Sequence, residues 1–527
     1  MSPFLKRTLS AAALIPALLL GTTGPAVAAT NTLTITAINR SGAKVSIWTK
    51  VVNLDSGREY SVRAGTKRTL PKGDYAVLAL ITTGTTNTLG GRTVKVSGTS
   101  KLTVDARYGK RVDLRLSPAV TRLGHDVRAQ ICTGTGSSGS EVDTSAGNGF
   151  TLYAIPTASK KITFAAMATW ADPDGVADNY AVLHRTVGVP SNPSRTFYKS
   201  QLGTTTVETR RGPTGTQYSD VAVQPTPNGC GNRMYAGLWN LNRPNSAKIH
   251  FSPGSWEIRG FFPTYAKNGD HYSLGEQSTH RTVVAGRSSF VRFGGASWGP
   301  GFHVPVTYQG RISYPLDDMF QDPGFNGLNG NHNYIAGDRA KATLTFGGKV
   351  VKTAYDTGFG QYMPSLEYQV KKAGWYTLTN TASRYYPEIA FQSGMLSTGS
   401  TVTYRFHAKP NTSVLAQVAT IQHMPTGLNG YNRARPGSVT NVALKLNRYV
   451  LWGDVKRGAN PTLKSLTTKV SFDGGRTWKA VPVKKINGVW AAVVTNPASG
   501  AVALRTRATY TSGGYTEAGI QRAYAIG

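Results

Sequence analysis

The octet Ser471-Phe472-Asp473-Gly474-Gly475-Arg476-Thr477-Trp478 lies between two β-type runs and dictates a reversal of the chain. The residues before Asp473 alternate as a strand does. Gly474-Gly475 supply the positive φ that a tight hairpin turn needs, and Trp478 is placed to cover the turn from the return strand. The Asp473 carboxylate is expected to accept backbone N–H bonds inside the turn. Turn chemistry accounts for every residue of this Asp-box octet, so it predicts architecture and not ligand contact. The rest of the chain follows suit. With 59 glycines, a charged fraction of only 16% and abundant Thr, Ser, Val and Tyr, it reads as many short strands joined by tight turns, an all-β protein with few amphipathic helical stretches.

The N-terminus carries Lys6 and Arg7, an apolar stretch from Ala11 to Leu20 and the small-residue run Ala26-Val27-Ala28-Ala29. This is the pattern of a secretory signal peptide cleaved after Ala28, with no cysteine following to carry a lipid. The apolar core is too short for a permanent span, and no later segment is apolar for long enough. A secreted, extracellular protein without a membrane span is expected. The formal charge is +33, or +31 once Lys6 and Arg7 are subtracted. A surface this basic stays soluble and is drawn to anionic cell-wall polymer, acidic polysaccharide or extracellular DNA, with an affinity that falls as salt rises. Its basic residues are interspersed and no nucleic-acid-binding motif appears, so specific nucleic-acid recognition is not expected. Cys132 and Cys230 are the only cysteines, and in an exported chain one bridge between them is expected. Neither has His or carboxylate neighbours at the spacing of a metal site.

About 500 residues after the signal suffice for three or four domains. Residues 29–118 form a first unit: Leu33 to Ala37 alternates, Asn53 to Gly57 turns, and Leu70-Pro71-Lys72-Gly73-Asp74-Tyr75 leads into an apolar strand. It resembles a small transthyretin-like β-sandwich. Residues 119–305 read as one large sandwich holding both cysteines, with strands over Lys161 to Thr169, Tyr180 to Val187 and Ile249 to Phe262. Residues 306–436 form a third sandwich, with Gly347-Gly348 as a hairpin turn. Residues 437–527 form a C-terminal Ig-like sandwich carrying the Asp-box hairpin. No internal repeat of fixed period appears.

Taken in order, the stretches Leu33 to Asp55, Leu102 to Arg107, Val182 to Tyr198, Ala296-Ser297-Trp298-Gly299-Pro300, Gly374 to Leu378 and Ser471 to Leu504 resemble the non-catalytic region that follows the protease domain in large secreted subtilisin-like peptidases of Gram-positive bacteria. The peptidase domain's own motifs are missing: there is no His-Gly-Thr-His or Gly-Thr-Ser-Met-Ala helix start, and Gln392-Ser393-Gly394-Met395 sits between β-type runs without a matching His motif. The resemblance implies an accessory region standing alone, with no catalytic residue to carry over and a separately encoded peptidase as a partner.

Other chemistry is thinly marked. Asp172, Asp174 and Asp178 lie in a Gly-containing loop that is a weak candidate for structural calcium, though it lacks the terminal Glu of an EF-hand and also reads as a plain turn. No other cofactor is expected. Asp317-Asp318 with Asp322 makes a second acidic loop. The nine histidines show no ligand spacing. Asn331-His332-Asn333-Tyr334 lies in a Gly/Asn-rich loop expected at the surface. Trp239, Trp256, Trp298 and Tyr385-Tyr386 lie near turns, where exposed rings stack on sugars, although core filling accounts for such rings in most sandwiches. The expected function is that of a non-enzymatic extracellular binding or scaffold protein. The alternatives are an accessory partner of a peptidase and a polysaccharide-active hydrolase with an unrecognised site.

Overall fold

The computed structural model describes residues 31–134, 140–172, 178–212, 218–226, 230–231, 234–242, 245–265, 271–325, 331–335, 338–358, 364–385, 394–449 and 455–527. Among them strands dominate. The only helical segments are the short 3-10 turns Ala106–Tyr108, Gly147–Gly149 and Lys199–Gln201. The architecture is all-β, a series of sheets stacked face to face.

The first core lies between a sheet built on Thr32–Ile38 and a six-stranded sheet built on Trp48–Asn53 and Gly73–Thr83. The alternation of Thr32–Ile38 sends Leu33, Ile35 and Ala37 inward against Val51, Val77 and Ile81. The Leu70-to-Tyr75 corner is closed by Tyr75, whose hydroxyl donates to the Pro71 carbonyl at 2.8 Å; Tyr376 repeats the device on the Lys372 carbonyl at 2.8 Å.

A seven-stranded sheet follows, and its strand Ile162–Ala171 reads Ile-Thr-Phe-Ala-Ala-Met-Ala-Thr-Trp-Ala with almost no polar alternation. The reason is burial on both faces. Phe164, Ala166 and Ala168 pack with Leu78, Leu89 and Ile131 toward the first unit. Ala165 and Met167 pack with Val221, Trp256 and Ile258 of a five-stranded sheet on the other side. The Cys132–Cys230 disulfide, formed across 98 residues, lies in this second core. The run expected as one strand from Ile249 to Phe262 is two, Asn245–Phe251 and Gly254–Tyr265, in different sheets. Pro253 has no N–H to give a ladder, and the chain changes sheets there.

The C-terminal half is organised by a nine-stranded sheet that includes Asp338–Phe346, Gly374–Arg384, Gly399–Ala408, Tyr515–Ile526, Gly500–Tyr510 and Leu463–Ser471. One part of its inner face packs on a four-stranded sheet through Leu344, Leu378, Tyr404 and Ile312. The rest packs on a second four-stranded sheet through Leu504, Ile520, Val442 and Val494.

Hydrogen-bonded strands cross each boundary expected from the sequence. Past residue 118, Thr151–Ala154 joins the first unit by pairing with Thr86–Val96. Across residue 305, Asn331–Ile335 pairs with His271–Val283, so this segment is a strand and not the expected surface loop. Across residue 436, Gly399–Ala408 pairs with Tyr515–Ile526. The domains share sheets because a strand's backbone N–H and C=O groups need a ladder, and for each of these strands a partner comes from the neighbouring unit. A buried polar chain adds to the joint between the halves. Glu208 accepts from Arg210 Nε at 2.7 Å and Arg292 Nε at 2.8 Å, Arg210 reaches Asn432 Oδ1 at 3.5 Å, and Asn432 Nδ2 donates to the Gly294 carbonyl at 2.9 Å.

Candidate functional site

The outer face of the nine-stranded sheet carries the concentration of chemistry. Residues directly opposite in a ladder share a face, and the registers generate three rows across it. One runs Lys469, Arg505, Gly519, Thr401, Thr381, Lys341 and Tyr355; the next runs Thr467, Arg507, Glu517, Thr403, Thr379, Thr343 and Thr353; the third runs Ser465, Thr509, Tyr515, Arg405, Thr377 and Thr345. Glu517 is the sole carboxylate in these rows, and it lies 3.7 Å from Arg507. The first row crosses six strand spacings, roughly 29 Å at the usual separation of strands.

Five cations of this face are held by rings. Arg405 lies over Trp375 at 4.3 Å, Arg505 over Trp478 at 4.3 Å, Arg507 over Tyr515 at 3.8 Å, Lys341 over Tyr355 at 5.7 Å and Arg339 over Tyr385 at 3.3 Å. Each such stack stabilises its geometry by about 0.5–1 kcal/mol at an exposed site. Guanidinium edges are thereby fixed in direction while keeping N–H donors free for carboxylate or phosphate oxygens. Between the two cationic ends, the Thr hydroxyls present donors and acceptors on a low surface; Thr379 and Thr403 are hydrogen-bonded at 3.1 Å.

At one end the face dips into a basin of about 490 Å³, lined by Arg339, Lys341, Tyr355, Asp356, Thr381 and Ser383 among others. Burial raises the pKa of the Asp356 carboxyl, partly opposed by the Gly358 N–H it accepts at 2.8 Å. Asp356 lies across the ladder from Ala340 and its side chain faces the interior, so the basin itself combines cations, hydroxyls and a ring.

The N-terminal half of the chain also stacks cations on rings, as Arg40 does over Tyr153 at 3.8 Å, but it pairs several others with acids on the same strand. Asp105/Arg107, Asp113/Arg115, Asp126/Arg128, Glu208/Arg210 and Glu257/Arg259 are ion pairs two residues apart on one strand or strand end. An acid two places before an arginine stands on the same side of a strand and neutralises it. Arg505-Thr506-Arg507 and Arg339-Ala340-Lys341 use the same spacing for two cations. That period of two was the available sequence signal for the face; the pairing of strands from distant parts of the chain was not.

The residues singled out from the sequence are dispersed. Asp178 binds His250 Nε2 at 2.9 Å, and the Asp172 N–H donates to Asn179 Oδ1 at 2.9 Å. Asp174 lies outside the described residues, as does Ser393. Among the described residues no group of three or more His, Cys, Asp or Glu side chains converges as a metal site. Gly474 and Gly475 have φ of 74° and 92°. Asp473 accepts from the Arg476 and Thr477 N–H groups at 3.0 and 2.9 Å, and hydrogen bonds from Thr477 and Ser471 hold its carboxyl well below the usual range. Trp478 Nε1 donates to the Gly475 carbonyl at 3.0 Å. The connection is longer than a two-residue hairpin, since the ladder resumes at Val470 opposite Lys479. Trp256 and Trp298 are each 1% exposed and fill cores.

In the other acidic loop, Asp318 accepts from His303 Nδ1 at 2.6 Å, and burial together with the Asp318 charge raises the pKa of Asp317. Asp322 is also raised by burial, although Gly324 N–H and Gln277 Nε2 donate to it. Asp318 and Asp322 are built into the protein interior, whereas Asp317 is exposed.

No protein-family profile matches the chain, and no curated protein matches it in sequence. Among solved structures, similarity is found to a streptococcal ancillary pilin (10% identity, 50% of this chain and 98% of that one, TM-score 0.13). It is also found to the FN1-FN3 domains of chicken CNTN1 (11% identity, 68% and 94%, TM-score 0.13) and to Salmonella alpha-2-macroglobulin reacted with methylamine (10% identity, 94% and 40%, TM-score 0.18). At these TM-scores none of the three bears on function. No helix among the described residues is long and apolar enough to cross a membrane.

Proposed function

We propose that this chain is a secreted, non-enzymatic binding protein that attaches to an anionic extracellular polymer through the outer face of its nine-stranded sheet. The observation that carries this reading is the gathering of five ring-stacked cations on one face with a single carboxylate among its three rows. Stacking restricts the side chains before binding, so less freedom is lost when a polymer is engaged. A repeating polyanion meets fixed positive charge at both ends of the face and hydroxyls between them. The +33 formal charge adds long-range attraction that salt weakens.

The test is cosedimentation with bacterial wall material and with polygalacturonate over a salt series from about 0.01 to 1 M, which shortens the screening length from ~30 to ~3 Å. Retention is expected at low salt and release at high salt. The triple substitution Arg405→Gln, Arg505→Gln, Arg507→Gln is expected to weaken retention by tenfold or more, on the order of 1.4 kcal/mol. Absence of retention at low salt would sink the proposal. So would a triple variant retained as well as the parent.

A further inference from the structure

We infer that the basin at the Lys341 end of the face is a subsite for one acidic sugar ring, a pyranose bearing a carboxylate or phosphate. This inference rests on the polymer-binding reading above and names the chemistry of its occupant. A volume of about 490 Å³ falls within the range of small-molecule sites.

The composition of the lining selects against simpler occupants. A bare anion needs only donors and cations, yet the basin also holds the exposed Tyr355 ring, an apolar surface that a bare anion leaves uncovered. A neutral sugar needs no fixed cation, yet Arg339 and Lys341 stand two residues apart on the same side of Asp338–Phe346. Arg339 is fixed twice, by Tyr385 at 3.3 Å and by its Nε donating to the Thr357 carbonyl at 3.2 Å, which leaves its terminal nitrogens as donors. Tyr355 is 59% exposed, and its ring offers an apolar surface for the C–H face of a pyranose. Thr381, directly across the ladder from Lys341, and Ser383, across from Arg339, add hydroxyls that donate or accept. An occupant that uses all of these has an anionic group at one edge, hydroxyls at another and an apolar face. Together these features describe an acidic sugar.

The experiment titrates the full chain, by calorimetry and by NMR of the protein, with D-glucuronate, D-glucose 6-phosphate, D-glucose, acetate and inorganic phosphate. Glucuronate or the sugar phosphate is expected to bind about tenfold or more tightly than glucose, acetate or phosphate, and the stronger of the two identifies the charged group. The double variant Arg339→Gln, Lys341→Gln is expected to lose about tenfold in that affinity, the worth of one charge-assisted hydrogen bond. Tyr355→Ala is expected to lower it as well. All these positions are on the exposed face, and circular dichroism with a thermal melt verifies that each variant is folded. Arg505→Gln with Arg507→Gln, remote from the basin, is expected to leave the sugar affinity unchanged while weakening polymer retention.

Displacement of the sugar by equal concentrations of acetate or inorganic phosphate overturns the inference, as does an Arg339/Lys341 variant that binds it like the parent. If the parent chain is retained on polymer but shows no preference for an acidic sugar, the subsite fails and the polymer-binding reading stands. If the parent chain is not retained on polymer at low salt, that reading fails first.

Discussion

Replacing Glu208 by Gln should weaken the joint between the two halves more than any surface charge change. Glu208 is 20% exposed and accepts from both Arg210 and Arg292, and Arg210 is itself only 9% exposed. The substitution keeps the shape but removes the charge that the Arg210 and Arg292 guanidiniums both face. Breaking a buried pair in this way costs about 3–5 kcal/mol. The lower end applies because Arg292 is 43% exposed and can turn to water. About 3 kcal/mol corresponds to a fall of roughly 6–12 °C in the midpoint of a cooperative unit of about 150–250 residues. Scanning calorimetry on E208Q, and on E208Q combined with Arg210→Met, measures it.

The double variant also removes the buried Arg210 charge that faced Glu208 and should recover part of the loss. Acid provides a parallel route to the same perturbation. Burial alone would raise the pKa of Glu208, but the hydrogen bonds and charges of Arg210 and Arg292 outweigh it and leave the carboxyl depressed. A depressed carboxyl contributes stability above its unfolded value of about 4.3, and that contribution is lost as pH falls through the folded value. E208Q should therefore flatten the acid limb of the stability profile. A midpoint within about 1 °C of the parent, with an unchanged acid limb, refutes the account.

Three further outcomes follow from local features. Cys132→Ser with Cys230→Ser should cost about 4–5 kcal/mol, because the bridge closes a separation of 98 residues, and calorimetry with and without reductant reads the loss. His423 is fully buried, with Nε2 at 2.8 Å from Thr506 Oγ1, and burial pushes its pKa down to about 4. Its folded value lies below the unfolded value of about 6.5, so the unfolded chain takes the proton first and stability falls as pH drops from about 6.5 to about 4, by about 3 kcal/mol in all. His423→Gln should remove that window, as urea midpoints across this pH range would reveal. Gly474→Ala, at φ 74°, should destabilise the Asp473 turn by about 1 kcal/mol through backbone strain, measured by local hydrogen exchange at Thr477.

What the sequence disclosed depended on how local the determinant was. The turn at Asp473 is written in eight consecutive residues, and its donors all lie within four positions of the carboxylate. The all-β class was equally legible. The break between Phe251 and Gly254 is marked by Pro253, but the apolar pattern resumes beyond it and so reads as one continuous strand. The unit boundaries were not legible, because whether Gly399–Ala408 completes its ladder with Tyr515–Ile526 is decided by registers more than a hundred residues apart. The cationic face was obscured for the same reason. Lys341, Arg405 and Arg505 look interspersed along the chain and come to share one face only when four separate ladders are assembled.

The strand Tyr515–Ile526 stands between Gly399–Ala408 and Gly500–Tyr510. During vectorial synthesis, residues 399–408 are made more than a hundred positions before the strand that completes their ladder. Until then the partly built sheet offers an open edge, the kind that templates association between nascent chains. Final closure of this half is thus a late event, and whatever guards the growing polypeptide must cover that edge until residue 526 has emerged.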